Sequence, residues 1–374
     1  MTWKYALWRL LCLLLVGSAA AAGGLSRIAA QGGNGLPALP AGQHVGIIYS
    51  DTSPEAAEVI GNAFSETLAA GVDAYELSIA WSDLEPQAGQ IDTSTLTYLL
   101  DILASLDVTP YLSIETINTV NLTLPADLSG AGPSALADGL HFDDPALIER
   151  FGVVLDAVVP LMAAHDGFFI AVGNEIDPWL AAHPEEVEPF LAFVAAARTR
   201  VQQIDPQIGV GASVTFDAVA DNVAWLGNLL ATSDAAVYTY YPLNADYTVR
   251  SPSVVGGDVA QMVRAAGGLP VLLQEVGYPS GYLPEASNGS SADMQRQFVE
   301  NMFDAVLAQP QIRFVSFFQL ADWGDAVCSY FMEYYGVNEP RFGEYLCSLG
   351  LRAYSGEAKP AYDAFLAGVQ RFGG

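Results

Sequence analysis

The sequence predicts a single (β/α)8 TIM barrel of the α/β class, with its working face at the C-terminal ends of the strands. Three observations carry that expectation. Apolar, β-branched runs alternate with stretches of helical spacing eight times between residues 44 and 372. The strand candidates are nearly continuous apolar runs, as parallel strands buried on both faces require. Strict βα alternation implies a parallel sheet with right-handed crossovers, and eight such units fit a closed ring.

The elements follow in order. "HVGIIYS" (44–50) is the first strand, and "PEAAEVIGNAFSETLAAG" continues with helical spacing. "DAYELSIAW" (73–81) precedes a loop and a helix over Ser94–Leu106. "VTPYLSIETI" (108–117) precedes a long loop and a helix over Asp144–Ala164. "FFIAVGNE" (168–175) leads to Pro184–Ile204, and "IGVGASVTF" (208–216) to Ala218–Ala231. "AAVYTYYPL" (235–243) leads to Val254–Ala266, and "LPVLLQEVGY" (269–278) to Ala292–Ala308. "IRFVSFFQLADW" (312–323) is followed by an aromatic insertion and then by "PAYDAFLAGVQRF". An open, doubly wound sheet is the rival. It calls for a Gly-rich phosphate turn after the first strand, which "IIYSDTSPEA" lacks, and GxxxxGK[ST] is absent too.

Composition narrows the function. Acidic residues outnumber basic ones 42 to 14, for a net charge of −28. Such a surface repels nucleic acid and anionic membrane and suits a neutral substrate. Lys4 and Arg9, the apolar run Leu10–Val16 and the small residues Gly17–Ala22 read as a signal peptide over 1–22, or as an anchor if uncleaved. Membrane association is expected only in the second case. Residues 23–43 are a Gly/Pro-rich linker, and 44–374 the catalytic domain. With the leader removed, Cys328 and Cys347 remain. Export to an oxidising compartment makes them a disulfide candidate, with two buried free thiols the equal alternative. The four histidines (His44, His141, His165, His183) are scattered and HExxH is absent, so neither metal nor cofactor is implied. Asn121 and Asn288 open glycosylation sequons, which matter only in a eukaryotic secretory host.

The predicted strands end in Trp81, Glu115, Asn174-Glu175, Tyr240-Tyr241, Glu275 and Asp322-Trp323. A cup of glutamates, aromatics and an asparagine suits sugar cleavage: rings stack on pyranose faces, and carboxylates protonate the glycosidic oxygen and attack the anomeric carbon. Glu175 and Glu275 each follow a buried apolar run directly, where a lone carboxylate is costly. They sit on roughly opposite sides of the ring. Singly, each reads as a rim salt bridge or loop cap; together, with Asn174 and the aromatics, they read as a catalytic pair. Trp81 is a stacking platform or a core residue, and Glu115 a subsite ligand or a loop partner. Glu85 is expected to fix its loop. Trp179 is a subsite residue if exposed, and otherwise packs on the neighbouring loop.

These residues carry a resemblance. The chain resembles the clan of retaining glycoside hydrolases with a (β/α)8 barrel, in which an Asn-Glu pair ends strand 4 and a second Glu ends strand 7. "WSDLEPQAGQID" (81–92) is similar to a W-x-x-L-E-P-x-x-G segment of several of these families. "TYYPL" (239–243) resembles the strand 6 motif of endo-β-1,4-galactanases and some β-mannanases, and "QEVGYPS" (274–280) the nucleophile segment of plant-type β-1,3-glucanases and a β-mannanase family. The resemblance implies Glu175 as acid/base and Glu275 as nucleophile. It implies Asn174 at the sugar 2-hydroxyl and Trp323 as floor of the glycone subsite. It also implies a strand 6 tyrosine on the nucleophile, either Tyr240 or Tyr241, with the preference given to Tyr240. The resulting expectation is an exported, monomeric β-glycan hydrolase that acts inside a polysaccharide or oligosaccharide. A catalytically silent carbohydrate-binding barrel is the alternative, disfavoured because both carboxylates are present.

Overall fold

Eight parallel strands run side by side in chain order: β1 His44–Ile47, β2 Ala74–Ala80, β3 Thr109–Asn118, β4 Phe169–Asn174, β5 Gly209–Gly211 continuing as Ser213–Thr215, β6 Ala236–Tyr240, β7 Val271–Val276 and β8 Ile312–Phe317. The computed structural model describes residues 42–50, 52–281 and 287–372. The predicted leader at 1–22, Cys12 included, and the predicted linker up to residue 41 lie outside the described residues. Parallel ladders join β2 to β5, and β5 through β8 back to β1. The seam between β1 and β2 is closed otherwise. Asp73 N–H donates to the Val45 carbonyl (3.1 Å), and the Asp73 carboxylate accepts from Val45 N–H (3.1 Å) and bonds His44 Nδ1 (2.8 Å). The backbones meet so closely that a Cβ on Gly46 would stand 2.9 Å from the Ala74 carbonyl.

The helices that cover the ring are α1 Ala57–Ala70, α2 Ser94–Ser105, α3 Pro145–Ala164, α4 Val187–Ile204, α5 Leu226–Ala231, α6 Val255–Ala265, α7 Ala292–Leu307 and α8 Pro360–Gln370. Their starts obey local chemistry. Asp144 accepts from Ala146 N–H ahead of Pro145 at the first position of α3, and Ser291 accepts from Met294 N–H at α7. The fifth helix departs from expectation. The predicted Ala218–Ala231 segment is two pieces, Phe216–Ala220 and α5. Asn222 takes a left-handed conformation (φ 52°) and breaks the run.

Two layers of apolar packing fix this ring. Inside it, Tyr111 stacks between Phe169 and Phe314 (centroids 5.5 and 5.6 Å), among Ala74, Ala171, Val237 and Leu272. Outside it, buried residues such as Phe64, Leu100, Val158, Val194, Met262, Phe298 and Phe365 join strands to helices. The insertion after β8 folds as two helices, Asp325–Tyr335 and Pro340–Cys347. Cys328 and Cys347 are disulfide-bonded across them (Cα–Cα 5.7 Å). Asn121 and Asn288 are both buried, so neither sequon is open to a glycan in the folded chain.

Candidate active site

The end of β4 is built to turn sharply. Gly173 has φ 93°, and a Cβ there would meet Ile176 Cγ2 at 2.8 Å. Glu175 itself is left-handed (φ 45°, ψ 57°), a conformation uncommon for a residue with a Cβ. It is held because the chain must pass at once from the strand into the short helix Ile176–Ala182. Asp177 in that helix is buried and accepts from Thr215 N–H (2.8 Å) and Thr215 Oγ1 (2.6 Å), tying the turn to β5. The Glu175 side chain therefore has a fixed origin at the barrel mouth. Its Oε1 accepts from the Thr239 hydroxyl and its Oε2 from the Thr119 hydroxyl, both at 2.7 Å.

Glu275 comes from β7, three strands away. Its Oε2 accepts from the Tyr241 hydroxyl at 2.6 Å. Asn174 is held by a relay from the barrel interior. The Tyr111 hydroxyl donates to Gln274 Oε1 (2.6 Å), and Gln274 Nε2 donates to Asn174 Oδ1 (2.8 Å). Asn118 Nδ2 donates to Glu115 Oε2 (3.0 Å) and receives Asn174 Nδ2 on its Oδ1 (3.3 Å). The aromatic plug thus sets the orientation of the amide beside Glu175. One cavity of about 150 Å³ holds Glu175, Glu275, Asn174, Glu115, Tyr241 and Trp323.

Charge and burial act together in this cavity. Burial raises the Glu175 carboxyl, opposed by the two threonine hydroxyls. Burial pushes Glu275 up to about 8, with the charges of Glu175, Glu76 and Glu115 adding to the rise and the Tyr241 hydrogen bond opposing it. Two buried carboxyls that repel each other titrate as a pair and hold one proton between them over a wide pH range. The Tyr241 hydroxyl favours charge on Glu275, and the Thr119 and Thr239 hydroxyls favour it on Glu175.

Two predicted site residues lie elsewhere. Tyr240 does not face the cavity. Successive residues of a strand point to opposite sides, and the Tyr240 hydroxyl donates to Asp258 on α6 (2.8 Å), behind the sheet. Tyr241 is the tyrosine on the nucleophile candidate, not Tyr240. Trp81 is no stacking platform. It is fully buried against Phe151 and Phe193, and its Nε1 donates to Glu85 Oε2 (3.0 Å). Glu85 fixes its loop through Gly89 N–H (2.6 Å) and Arg150 Nε (2.8 Å). Trp179 is buried and donates to the Ser134 carbonyl of the neighbouring loop (3.0 Å).

Other residues at or beside the cavity escaped the sequence reading. Glu76 lies mid-way along β2 and is 5% exposed; a carboxylate inside an apolar run was the available signal. Thr119 and Thr239 gave none, because hydroxyls are common at strand ends. Phe331, Tyr335 and Tyr345 come from the insertion and roof the cavity; no periodic frame in the sequence says where an insertion folds.

No family profile and no curated protein matches this sequence. Solved structures do. A GH5_18 protein of Bifidobacterium longum subsp. longum, crystallised with Manβ1-4GlcNAc, is 16% identical over 88% of this chain and 78% of its own, with a TM-score of 0.67. A GH5_18 protein of Streptomyces cattleya, crystallised with the same sugar, is 18% identical over 88% of this chain and 80% of its own, also at 0.67. A family 39 glycoside hydrolase of Bacteroides cellulosilyticus is 13% identical over 87% of this chain and 63% of its own, at 0.60. The chain shares the fold of these glycoside hydrolases. At such identities the likeness establishes the (β/α)8 barrel, agreeing with the ring traced above.

Proposed function

We propose that the protein is a retaining β-glycosidase. The observation that carries this reading is the pair Glu175 and Glu275, delivered by β4 and β7 into one cavity, with a tyrosine hydroxyl on the second carboxylate only. Glu175 donates its proton to the glycosidic oxygen as the bond from that oxygen to the anomeric carbon breaks. The Glu275 carboxylate forms the new bond to that carbon, giving a glycosyl-enzyme ester. Glu175, now ionised, takes a proton from water; the water oxygen displaces Glu275 and releases the sugar with its configuration retained. Asn174 is placed to hydrogen-bond the sugar beside the reacting carbon, and Trp323, stacked on Phe331 (4.5 Å between centroids), offers an aromatic floor.

The cavity supports action on a terminal sugar, in place of the chain-internal action suggested by the aromatic content. It is small, and Phe331, Tyr335 and Tyr345 of the insertion line it. Its four glutamates suit an uncharged glycone. The Manβ1-4GlcNAc bound to the bifidobacterial protein and an exo-β-1,4-mannosidase from an Opitutaceae bacterium, 18% identical with a TM-score of 0.64, make β-mannosides the first substrates to try. The predicted leader and the Cys328–Cys347 cross-link support a protein acting outside the cytoplasm.

The test is hydrolysis of p-nitrophenyl β-mannoside, β-glucoside and β-galactoside by the wild type, Glu275→Ala and Glu175→Ala. Loss in both variants, with azide restoring Glu175→Ala as a β-glycosyl azide and Glu275→Ala as the inverted α-azide, is the expected result. Undiminished turnover in Glu275→Ala would sink the assignment.

A further inference from the structure

Lys4 and Lys359 are the chain's two lysines, set against 42 acidic residues. Lys359, the one among the described residues, stands immediately before α8, and its side chain is only 12% exposed. A lysine is seldom buried without a partner, and the double displacement makes no use of this one. It does not line the cavity. Its ammonium instead joins three segments around it. It donates to Asp322 Oδ1 (2.7 Å) past the end of β8, to Ser280 Oγ (2.9 Å) in the loop after β7, and to the Ser348 carbonyl (3.4 Å) just past the second insertion helix. Asp322 Oδ1 also accepts from Gly350 N–H (2.9 Å). A Cβ on Gly350 would stand 2.1 Å from the Asp322 nitrogen, so the strand end and the returning insertion lie directly against each other. Ser280 N–H donates to the Ser348 carbonyl (2.9 Å), and Gly281 N–H to Ser348 Oγ (3.0 Å).

Trp323 directly follows Asp322, and Leu349 directly follows Ser348; both line the cavity with Glu275. The ladder between β7 and β8 ends at Val276 and Phe317. Beyond it, the two loops need another tie, and Lys359 supplies one. On the glycosidase reading above, the spacing of Trp323 and Glu275 sets the room for the glycone. We propose that Lys359 is a positioning residue: paired with Asp322, it fixes Trp323 relative to Glu275 and so sets the fit of the glycone without touching it. Three donors on one flexible stem suit three acceptors on separate segments, which the planar fork of an arginine does not. Stability alone does not account for the pair, because apolar side chains of similar volume often replace a buried ion pair without loss. What the ion pair adds is a defined geometry.

The experiment removes the pair without leaving a lone charge. Lys359→Met alone strands Asp322 and should lower the melting temperature; adding Asp322→Asn removes both charges and should regain most of the loss. Positioning predicts that KM for the aryl glycoside the wild type hydrolyses stays raised in the double variant, by roughly tenfold, while kcat changes less. Ser280→Ala keeps the ion pair and the fold, and should raise KM in the same direction by a smaller factor. A KM that recovers together with the melting temperature makes the pair a stabiliser only and overturns the proposal. Trp323→Ala tests the route. Adding the double change to it should raise KM by less than about twofold more, because the floor is already gone; full additivity overturns the route through Trp323. Hydrogen exchange gives a readout without turnover. The amides of 319–325 and 344–350 should exchange faster in the double variant, with those of β2 to β4 unchanged; equal exchange in both proteins overturns the positioning. Failure of the glycosidase reading looks different: the wild type then hydrolyses none of the aryl glycosides, and exchange still decides whether Lys359 holds Trp323 in place.

Discussion

Tyr240 and Tyr241 are adjacent, and the strand's alternation sends their hydroxyls to opposite sides of β6. A phenylalanine at each position should separate the two roles. Tyr241→Phe removes the hydroxyl that donates to Glu275 and should lower kcat by about 10- to 100-fold, the range for a hydrogen bond to a carboxylate. Tyr240→Phe leaves Asp258 its Arg250 partners (2.7 and 3.2 Å); it should cost about 1 kcal/mol of stability and leave kcat alone. Steady-state kinetics and urea denaturation on the two variants check both. Glu76 offers a third test at this scale. Its charge raises Glu275, and on the proposed mechanism Glu275 must be ionised to attack. The rate therefore falls as pH drops through the Glu275 pKa. Glu76→Gln removes the repulsion, lowers that pKa, and should move the acid limb of the kcat/KM profile to lower pH. An unmoved limb would mean that the two carboxylates do not interact.

At the scale of elements, the helix pair after β8 is the part that distinguishes this barrel's mouth. Its Phe331, Tyr335 and Tyr345 roof the cavity, and the Cys328–Cys347 bond pins one helix to the other. A cross-link over such a short loop constrains the hairpin by about 3 kcal/mol in the chain-entropy account. The barrel core is packed independently of it, since Cys328, Phe342, Leu346 and Cys347 form a cluster apart from the two main ones. The double change Cys328→Ser and Cys347→Ser should therefore raise KM several-fold while the circular dichroism spectrum and most of kcat persist. A collapse of kcat with KM unchanged would place the insertion in the chemistry instead of in binding. The strands and most covering helices were legible beforehand, because burial on both faces leaves continuous apolar runs and because amphipathic helices keep their period. Glu175, Glu275 and Asn174 were legible for the same reason: a polar group at the end of such a run stands out. Side-chain facing was less so. Trp81 follows β2 directly, yet the helix Trp81–Leu84 turns it into the core, and one residue of phase decided between Tyr240 and Tyr241. The insertion could be recognised by its composition, but its two helices and the roof that they form depend on contacts distant in sequence.

For the whole molecule, burial of acids sets the response to pH. Glu175, Asp177, Asp217, Glu275 and Asp322 are all raised, chiefly by burial, Asp322 to about 6 and Glu275 to about 8. An acid whose pKa is higher folded than unfolded keeps its proton in the folded state after the unfolded chain has lost it. Between the ordinary carboxylate value of 4.5 and about 8, Glu275 therefore draws the equilibrium toward the folded state less and less as pH rises. His165, raised by its hydrogen bond to the Leu161 carbonyl and by Asp101, pulls the same way: its contribution is full below its unfolded pKa and lost above its folded one. The opposing acids, Asp92, Asp127, Asp246 and Asp293, are lowered by exposed hydrogen bonds that solvent screens. Their contribution falls away only at still lower pH. The net charge of −28 adds a general repulsion that grows as the remaining carboxyls ionise. The melting temperature should therefore be higher near pH 5.5 than near pH 8, and added salt should narrow the gap by screening the surface charge without touching the buried acids. Thermal melts at both pH values, with low and high salt, measure the two contributions separately. A gap that salt abolishes would assign the effect to the surface alone and remove the buried site from it; a gap that persists in high salt, and shrinks in Glu275→Gln, ties the protein's stability to the same carboxyl proposed to attack the sugar.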